Sequence, residues 1–166
     1  MKKIIYYPQE ILLKPTISYV FNNDSHSFLS KLKREMQTIM MNHHGIGLAA
    51  NQIGVHFSIF LMNIGENEFF FINPKILSTS SEKITFVEGC LSFPNIKIEK
   101  ERFKTIILSW HDINNHLHTQ EFSDLESVCI QHETDHLQGI TFIDDLSKLK
   151  KNMILKKVQK FSVKNK

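Results

Sequence analysis

The sequence predicts an α+β fold in which antiparallel or mixed β-sheets pack around a central helix, with an N-terminal and a C-terminal helix beside them. Short β-prone runs crowd the stretch between about residues 55 and 110. Apolar residues recur at three- and four-residue steps on either side of that stretch, which is typical of helices. Strands in series favour antiparallel pairing and leave the helices to pack alongside the sheets.

Composition indicates one globular domain over residues 1–166. The chain is 42% hydrophobic and 22% charged, which is ordinary usage for a protein with a packed core. It has no run of about 18–20 uncharged apolar residues, so we expect no membrane span. Pro8 and Glu10 interrupt the start before the apolar core of a signal peptide, and two cysteines are too few for a disulfide framework. We therefore expect a cytoplasmic protein.

Charge is distributed unevenly along the chain. Residues 147–166 hold eight lysines and no acidic residue, whereas the rest carries 12 basic and 17 acidic residues. This basic C-terminal helix and tail either meets an anionic partner or is simply a solvated helix end. Only two of the twenty basic residues are arginine, so a phosphate site built on arginine is not indicated.

The first helix is predicted over residues 27–43, where Leu29, Leu32, Met36 and Met40 share one face and Gly45 follows as a stop. The β-prone runs after it are residues 58–62, 69–72, 84–87 and 105–108. Turns are predicted between them, because Asn, Ser, Gly and Pro cluster at residues 63–67, 73–74, 78–81 and 114–115.

The second helix is the best-marked element of the sequence. Ser123 and Glu126 fit a capping box at its start, and Gly139 supplies its stop. One helical stripe is formed by Leu125, Val128, Cys129, His132 and His136. A third, only partly amphipathic helix is predicted over residues 147–161.

His132, Glu133 and His136 form an H-E-x-x-H motif on the second helix. Residues i and i+4 lie one turn apart, so both imidazoles can reach one ion. Glu133 lies beside that ion, where it can handle a proton without being a ligand. The alternative is two core histidines satisfied by hydrogen bonds. The metal interpretation is favoured and makes this the central metal-binding helix of the predicted fold.

A catalytic site of this kind needs a third protein ligand and an open position for water. Phe142 stands where zinc proteases of the longer motif have a third histidine, and Glu133 is the last glutamate of the chain. Cys129 lies about 10 Å from His136 along the helix axis, which fits a buried apolar residue better than a ligand. Cys90, which follows a β-prone run, is the favoured third ligand. Weaker candidates are His111, His116 and His118.

Residues 45–52, with the sequence G-I-G-L-A-A-N-Q, form the third unusual segment. Ala50 stands where a dinucleotide loop has its third glycine, and a helix rather than a strand precedes the segment. One interpretation is a helix stop followed by a packing turn of small residues. The other is a backbone that lies close to an extended ligand, with the Gln52 amide as a fixed donor.

Together these three segments resemble the peptide deformylase family, which is marked by G-x-G-x-A-A-x-Q, E-G-C-L-S and H-E-x-D-H in this order. Here the three blocks are residues 45–52, 88–92 and 132–136. The resemblance extends over nearly the whole chain, including a lysine-rich C-terminal helix typical of the bacterial-type enzymes. As departures, Lys97 and Glu99 fall where the family varies, and Asn115 replaces the usual turn glycine.

The resemblance implies a role for each matching residue. The metal would be bound by Cys90, His132 and His136. Glu133 would be the general acid/base, and the Gln52 amide and the backbone N–H of Leu91 would stabilise the oxyanion. An extended peptide would pair with Gly47 and Gly89, while Arg102 would hold Glu88. The methionine side chain would enter an apolar pocket assigned to Ile46, Leu125, Val128 and Cys129.

The implied reaction removes the N-formyl group from the N-terminal formylmethionine of newly made polypeptides and releases formate. Metal-bound hydroxide would attack the formyl carbon. The resemblance implies one Fe²⁺ per chain, although a cysteine and two histidines also suit Zn²⁺ or Ni²⁺. The alternatives are a zinc metallopeptidase and a catalytically inactive, metal-binding, ribosome-associated homologue. We expect a monomer that contacts no membrane and meets the ribosome through its basic C-terminal helix.

Overall fold

The computed structural model describes residues 2–164 and the side chains of residues 2–162, so the last two residues of the predicted basic tail lie outside it. The strands it describes are β1 (Gly47–Ala49), β2 (Ile59–Ile64), β3 (Asn67–Thr79), β4 (Lys83–Cys90), β5 (Phe93–Phe103), β6 (Thr105–His111) and β7 (Leu117–Ser123). The helices are α1 (Ser25–Asn42), α2 (Asp124–Leu137) and α3 (Lys148–Lys164), with 3-10 turns at Glu10–Leu12 and Ala50–Ile53. The predicted α+β class is confirmed. None of the described helices combines the length and apolar character needed to cross a bilayer.

The described strands form two antiparallel sheets. The larger has five strands in the order β1-β2-β3-β6-β7, and the smaller consists of β4 and β5 alone. Within the described residues β1 pairs only with β2, and β4 pairs only with β5. Each of these two strands therefore has one edge that is not paired with another described strand.

The large sheet is buried on both faces around β2, because α1 and α2 cover opposite sides of that strand. Strand side chains alternate between the faces. On β2, Ile59 and Leu61 pack into the cluster that contains the α1 residues, whereas Phe60 and Met62 join the cluster that contains Ile130 of α2. Central α2 is thus held against the sheet by aromatic and aliphatic packing.

The third helix, α3, covers the small sheet. Val158 of α3 is fully buried in a cluster with Phe93 of β5 and Phe142. Phe161 meets the ring of Tyr6 edge to face, with 5.6 Å between the ring centroids. This helix, predicted over residues 147–161, therefore packs beside β5.

Three of the four predicted turns are confirmed. Gly65 (φ 63°) lies between β2 and β3, Asn115 (φ 64°) lies between β6 and β7, and the chain turns after Thr79. The predicted turn at residues 73–74 is wrong, because both lie within β3 at a shift in its pairing with β6. There the Asn73 side chain accepts a hydrogen bond from the backbone N–H of Tyr19 (2.7 Å) and donates one to its carbonyl (2.9 Å), while Pro74 has no N–H to donate to the ladder.

The helix boundaries match the predicted signals except at the start of α2. Gly139 follows α2 with φ 71°, as a stop requires. The predicted capping box is wrong: Ser123, the last residue of β7, precedes the helix but makes no side-chain capping bond. Glu126 instead accepts a hydrogen bond from Asn67 (3.1 Å). Strand β5 was not among the predicted strands.

Candidate active site

A cysteine and two histidines converge where β4 ends against α2. The ligand atoms of Cys90, His132 and His136 all lie within 4.8 Å of one another, and Cys90 Sγ is 3.1 Å from His136 Nε2. The histidines lie one helical turn apart, and the cysteine follows a register shift between Gly89 and its own position. Such a shift turns a side chain out of the regular pleat.

The weaker ligand candidates lie elsewhere. The ring of His118 stacks on Trp110 with 5.3 Å between centroids, and its Nε2 is 3.0 Å from Asp112 Oδ2. His111 and His116 belong to the same β6–β7 hairpin region. Among the described residues, the cluster that could hold a metal contains none of the three.

The orientation of His132 is set by a carboxylate behind it. His132 Nδ1 lies 2.8 Å from Glu88 Oε2, so this nitrogen carries the proton and Nε2 is left for the centre of the cluster. A carboxylate behind a histidine is a common device for orienting metal ligands. Arg102 Nε and a second guanidinium nitrogen donate to the two oxygens of Glu88 at 2.6 and 3.0 Å.

The buried negative charge of Glu88 is compensated by the positive charge of Arg102 beside it. Burial would raise the pKa of Glu88, but its hydrogen bonds to His132 and Arg102 outweigh burial and lower it to about 2. The guanidinium of Arg102 also donates to Asp135 Oδ2 at 2.6 Å. One buried arginine therefore joins β5, β4 and α2 and keeps Glu88 ionised at neutral pH.

The donor set fits a divalent cation. Burial opposes a charge on His132, but its hydrogen bonds to Cys90 and Glu88 raise its pKa to about 10, so a positive charge is favoured here. A cation on Nε2 would take the place of the second ring proton and leave the imidazole neutral. Burial holds the pKa of His136 well below its ordinary value, which keeps this imidazole neutral, as a ligand must be. One thiolate and two imidazoles suit first-row metals such as iron, nickel and zinc.

Glu133 is buried at the base of the cleft. Burial raises the pKa of its carboxyl to about 7, and its Oε2 has no hydrogen-bond partner among the described residues. Gly47 lies directly against it: a Cβ at that position would be 2.5 Å from Glu133 Oε1. The space for this carboxylate therefore exists only because residue 47 is glycine.

Gln52 is held as a donor aimed at the same cluster. Its Oε1 accepts a hydrogen bond from the backbone N–H of Ala49 (2.8 Å), which fixes the amide orientation. Its Nε2 lies 3.0 Å from Ser92 Oγ and 3.4 Å from Cys90 Sγ. Leu91 lies between Cys90 and Ser92 in the short connection from β4 to β5.

These groups open onto a cleft of about 650 Å³. The remaining predicted site residues line it: Ile46, Gly47, Gln52, Glu88, Gly89, Leu91, Leu125, Val128 and Cys129. Burial raises the pKa of Cys129 well above its ordinary value, so it is an inert apolar wall. The open edges of β1 and β4 contribute the backbones at Gly47 and Gly89.

Sequence reasoning missed three residues that support the site. Asp135 and Glu88 both accept hydrogen bonds from Arg102, and Ser92 Oγ accepts one from the Gln52 amide. Asn51 donates a 2.7 Å hydrogen bond to the backbone carbonyl of His136, 85 positions away. Each lies inside or beside one of the three marked segments, so a polar residue buried within such a segment is the signal that could have found them.

Comparisons with known proteins agree with this geometry. The family model described as polypeptide deformylase matches residues 1–152. The chain is 39% identical to the peptide deformylase of Wolbachia sp. subsp. Brugia malayi (strain TRS), over 95% of this chain and 94% of the relative. Crystal structures of peptide deformylases from Legionella pneumophila (TM-score 0.91, 31% identity, 99% of this chain and 97% of that one) and from Ehrlichia chaffeensis in complex with actinonin (0.90, 32%, 96% of each) share its fold. The chain therefore belongs to the polypeptide deformylase family.

Proposed function

We propose that this chain removes the N-formyl group from the N-terminal formylmethionine of newly made polypeptides. The observation that carries the proposal is the cluster of Cys90, His132 and His136 with buried Glu133 beside it, at the base of a cleft flanked by two open strand edges. The reaction is metal-dependent hydrolysis, and formate and a free N-terminus are its products.

We infer that the ion is Fe²⁺, one per chain, held by the thiolate and the two Nε2 atoms, with Zn²⁺ or Ni²⁺ as substitutes. A metal in such a site lowers the pKa of water, so that hydroxide is available near neutral pH. Thiolate ligation and ferrous iron are both open to oxidation, so the protein should be handled without oxygen.

The chain's own groups supply proton transfer and charge stabilisation. Glu133 accepts the proton released in the attack and returns it to the departing amine, a task for which a pKa near 7 is well matched. The Gln52 amide and the Leu91 backbone N–H donate to the oxygen of the formyl group as negative charge develops there. The fixed orientation of Gln52 means that this donor needs no reorganisation.

Substrate binding follows from the two open strand edges. An extended peptide pairs its main chain with Gly47 and Gly89 and places the methionine side chain against Ile46, Leu125, Val128 and Cys129. Glu88 does not touch the peptide in this proposal, because Arg102 and His132 occupy its oxygens. Its role is to hold the site.

We further propose that the protein works in the cytoplasm as a monomer and contacts the ribosome through the lysines of α3. Contact with ribosomal RNA through lysines should weaken steeply as salt rises. The comparisons favour neither of the alternative functions, a zinc metallopeptidase and an inactive metal-binding homologue. These alternatives predict, respectively, cleavage of internal peptide bonds and metal binding without turnover.

The decisive experiment measures formate release from a formyl-Met tripeptide by protein purified without oxygen and loaded with Fe²⁺. We expect rapid release that a chelator abolishes and added Fe²⁺ restores. Mass spectrometry of the same samples separates deformylation from peptide-bond cleavage. No formate from protein shown to carry one metal per chain would overturn the proposal.

A further inference from the structure

The active-site cleft does not end at its apolar pocket. A groove of about 370 Å³ lies beside it, lined by Pro94, Asn95, Ile96, Lys157, Lys160 and Phe161. Four of these residues, Pro94 to Ile96 and Phe161, also line the cleft. Cleft and groove are therefore one continuous surface that runs from the metal cluster, past the start of β5, to α3.

The outer part of this surface is cationic. Lys97 lines the cleft, and Lys157 and Lys160 line the groove. All three are exposed, and none takes part in an ion pair with a described residue, whereas nearby Lys100 and Lys151 face Asp145 and Asp144. The carboxylates that line the cleft, Glu88 and Glu133, are buried at its inner end.

The pairing of β4 with β5 places Lys97 within reach of a bound peptide. Lys97 is opposite Gly89, and opposed residues of antiparallel strands project to the same face. A Cβ at Gly89 would meet only the backbone oxygen of Ile96, at 3.8 Å, so this face is open. Adjacent strands lie about 4.8 Å apart, and a lysine can extend across a glycine to a side chain on the next strand.

The two lysines of α3 approach the same surface from the other side. Lys157, Lys160 and Phe161 are spaced i, i+3 and i+4, so they share one helix face. Phe161 packs on Tyr6, which also lines the cleft, and buried Val158 fixes the helix against β5. These lysines are thus held at the mouth of the site rather than on a remote surface.

We propose that Lys97, Lys157 and Lys160 form a cationic subsite that selects formylated peptides carrying an acidic side chain at residue 2, 3 or 4. The inference rests on the proposed function and adds a substrate preference to it. Glu99 is the nearest acidic residue on the exposed face of β5, but it pairs with Val87, two pairs further along than Lys97 with Gly89, and it lines neither cavity. The subsite is therefore open to a carboxylate from the peptide.

The test compares C-terminally amidated formyl-Met peptides that carry Glu, Gln or Lys at residue 2, 3 or 4 in turn. Wild-type protein should show a kcat/KM about three- to tenfold higher for Glu than for Gln at one of these positions, mostly through KM, and lower for Lys. Raising the salt from 50 to 500 mM should reduce the ratio. In Lys97→Gln and in the double variant Lys157→Gln/Lys160→Gln, the ratio of kcat/KM for the Glu peptide to that for the Gln peptide should fall toward one.

Lys148→Gln is the matched control, because nine residues place Lys148 on the opposite face of α3 from Lys157. It should keep the wild-type ratio. Equal kcat/KM for Glu and Gln at all three positions would overturn the subsite while leaving the proposed function intact, since formate would still be released. If Lys157→Gln/Lys160→Gln weakens the binding of an RNA hairpin but leaves the preference for Glu over Gln peptides unchanged, the lysines bind nucleic acid and the proposal fails. No formate from any peptide would instead overturn the proposed function.

Discussion

At the scale of single residues, Glu133 is buried and has one carboxylate oxygen, Oε2, that forms no hydrogen bond with a described residue. A group that must move a proton needs this freedom, because a carboxylate held by strong donors would be too weak a base. Glu133→Gln keeps the size of the side chain and removes the titratable oxygen. We expect formate release to fall by about 10²- to 10⁴-fold with metal content unchanged, measured by turnover and by metal analysis of the same preparation.

A matched variant on the same helix is Glu126→Gln, since Glu126 is only half-buried and does not line the cleft. It should retain turnover. Normal formate release by Glu133→Gln would contradict the assigned role, and loss of metal from that variant would show that it acts on the ligands instead.

Arg102 holds two carboxylates in the interior, and its removal should therefore cost stability. Arg102→Met removes the guanidinium that Glu88 and Asp135 share, and breaking a buried ion pair in this way costs about 3–5 kcal/mol. Urea unfolding measures the change. Lys104→Met, which removes an exposed pair with Glu82, should cost about 1 kcal/mol or less. Equal effects of the two substitutions would contradict this account.

Residue spacing could predict only part of this network. The i, i+4 spacing of His132 and His136 is a property of one helix, so a single segment was enough to place both on one turn. Asp135 meets Arg102 from 33 positions away, and that contact depends on how β5 packs against α2. Such a pair has no local signal, and only the folded chain reveals it.

At the scale of elements, the end of α2 is fixed by a glycine for two separate reasons. Gly139 has φ 71°, and a Cβ there would lie 2.8 Å from backbone atoms of Leu13 and Lys14. Gly65 has a similar φ of 63°, but nothing lies within 4 Å of its Cβ position. Gly65→Ala should therefore cost only the left-handed conformation, about 1–2 kcal/mol, and Gly139→Ala should cost clearly more.

Denaturant unfolding of the two alanine variants separates the backbone term from the steric one. If both lose the same stability, the close approach of residues 13–14 to the helix end contributes nothing. If Gly65→Ala had the same free energy of unfolding as the wild type, the turn after β2 would adopt another conformation than the left-handed one.

The β6–β7 hairpin should carry a pH-dependent contribution to stability. Burial would raise the pKa of Asp112, but hydrogen bonds from His118 and from the backbone N–H groups of His116 and Asn114 lower it to about 2. The unfolded value is 3.8, so the contribution is complete above about pH 4 and disappears as the pH falls toward 2.

Asp112→Asn keeps the backbone acceptor and loses the charge. We expect it to lower the free energy of unfolding by about 1 kcal/mol at pH 6, a small effect because the site is partly exposed to solvent. The difference from wild type should vanish near pH 2. Urea titrations at several pH values test this, and a constant difference would exclude the ionised carboxylate as its source.

Two strand features could not have been predicted from local pattern. β5 alternates charged residues such as Lys97, Glu99 and Glu101 with few apolar ones, so its hydrophobic signal is weak and its pairing with β4 defines it. Asn73 and Pro74 resemble a turn by composition, yet both lie within β3, where the Asn73 side chain forms two hydrogen bonds with the backbone of Tyr19. In both cases tertiary contacts override local preference.

At the scale of the whole molecule, a metal ion bound by the proposed ligands would tie the small sheet to the central helix. Cys90 comes from β4, whereas His132 and His136 come from α2. An ion that binds only when these units are docked stabilises the folded state by mass action, about 2.7 kcal/mol when its free concentration is 100 times Kd. Removing the metal should therefore lower Tm by roughly 5–10 °C.

Differential scanning calorimetry with and without chelator measures this shift. Cys90→Ala should abolish the difference between the two scans, while Cys129→Ala, which removes the other thiol, should preserve it. A shift that survives in Cys90→Ala would mean that the cysteine is not a ligand.

The unpaired edge of β4 has a further consequence for how the protein behaves in concentrated solution. Proteins commonly shield such edges with charge, proline or a covering segment, yet here exposed Phe86 and Val87 lie along it. Shielding would also exclude the peptide. Two copies that paired through this edge would use the same backbone groups as the peptide and would block both clefts. Self-association by this route would therefore inhibit catalysis, and bound substrate would compete directly with aggregation.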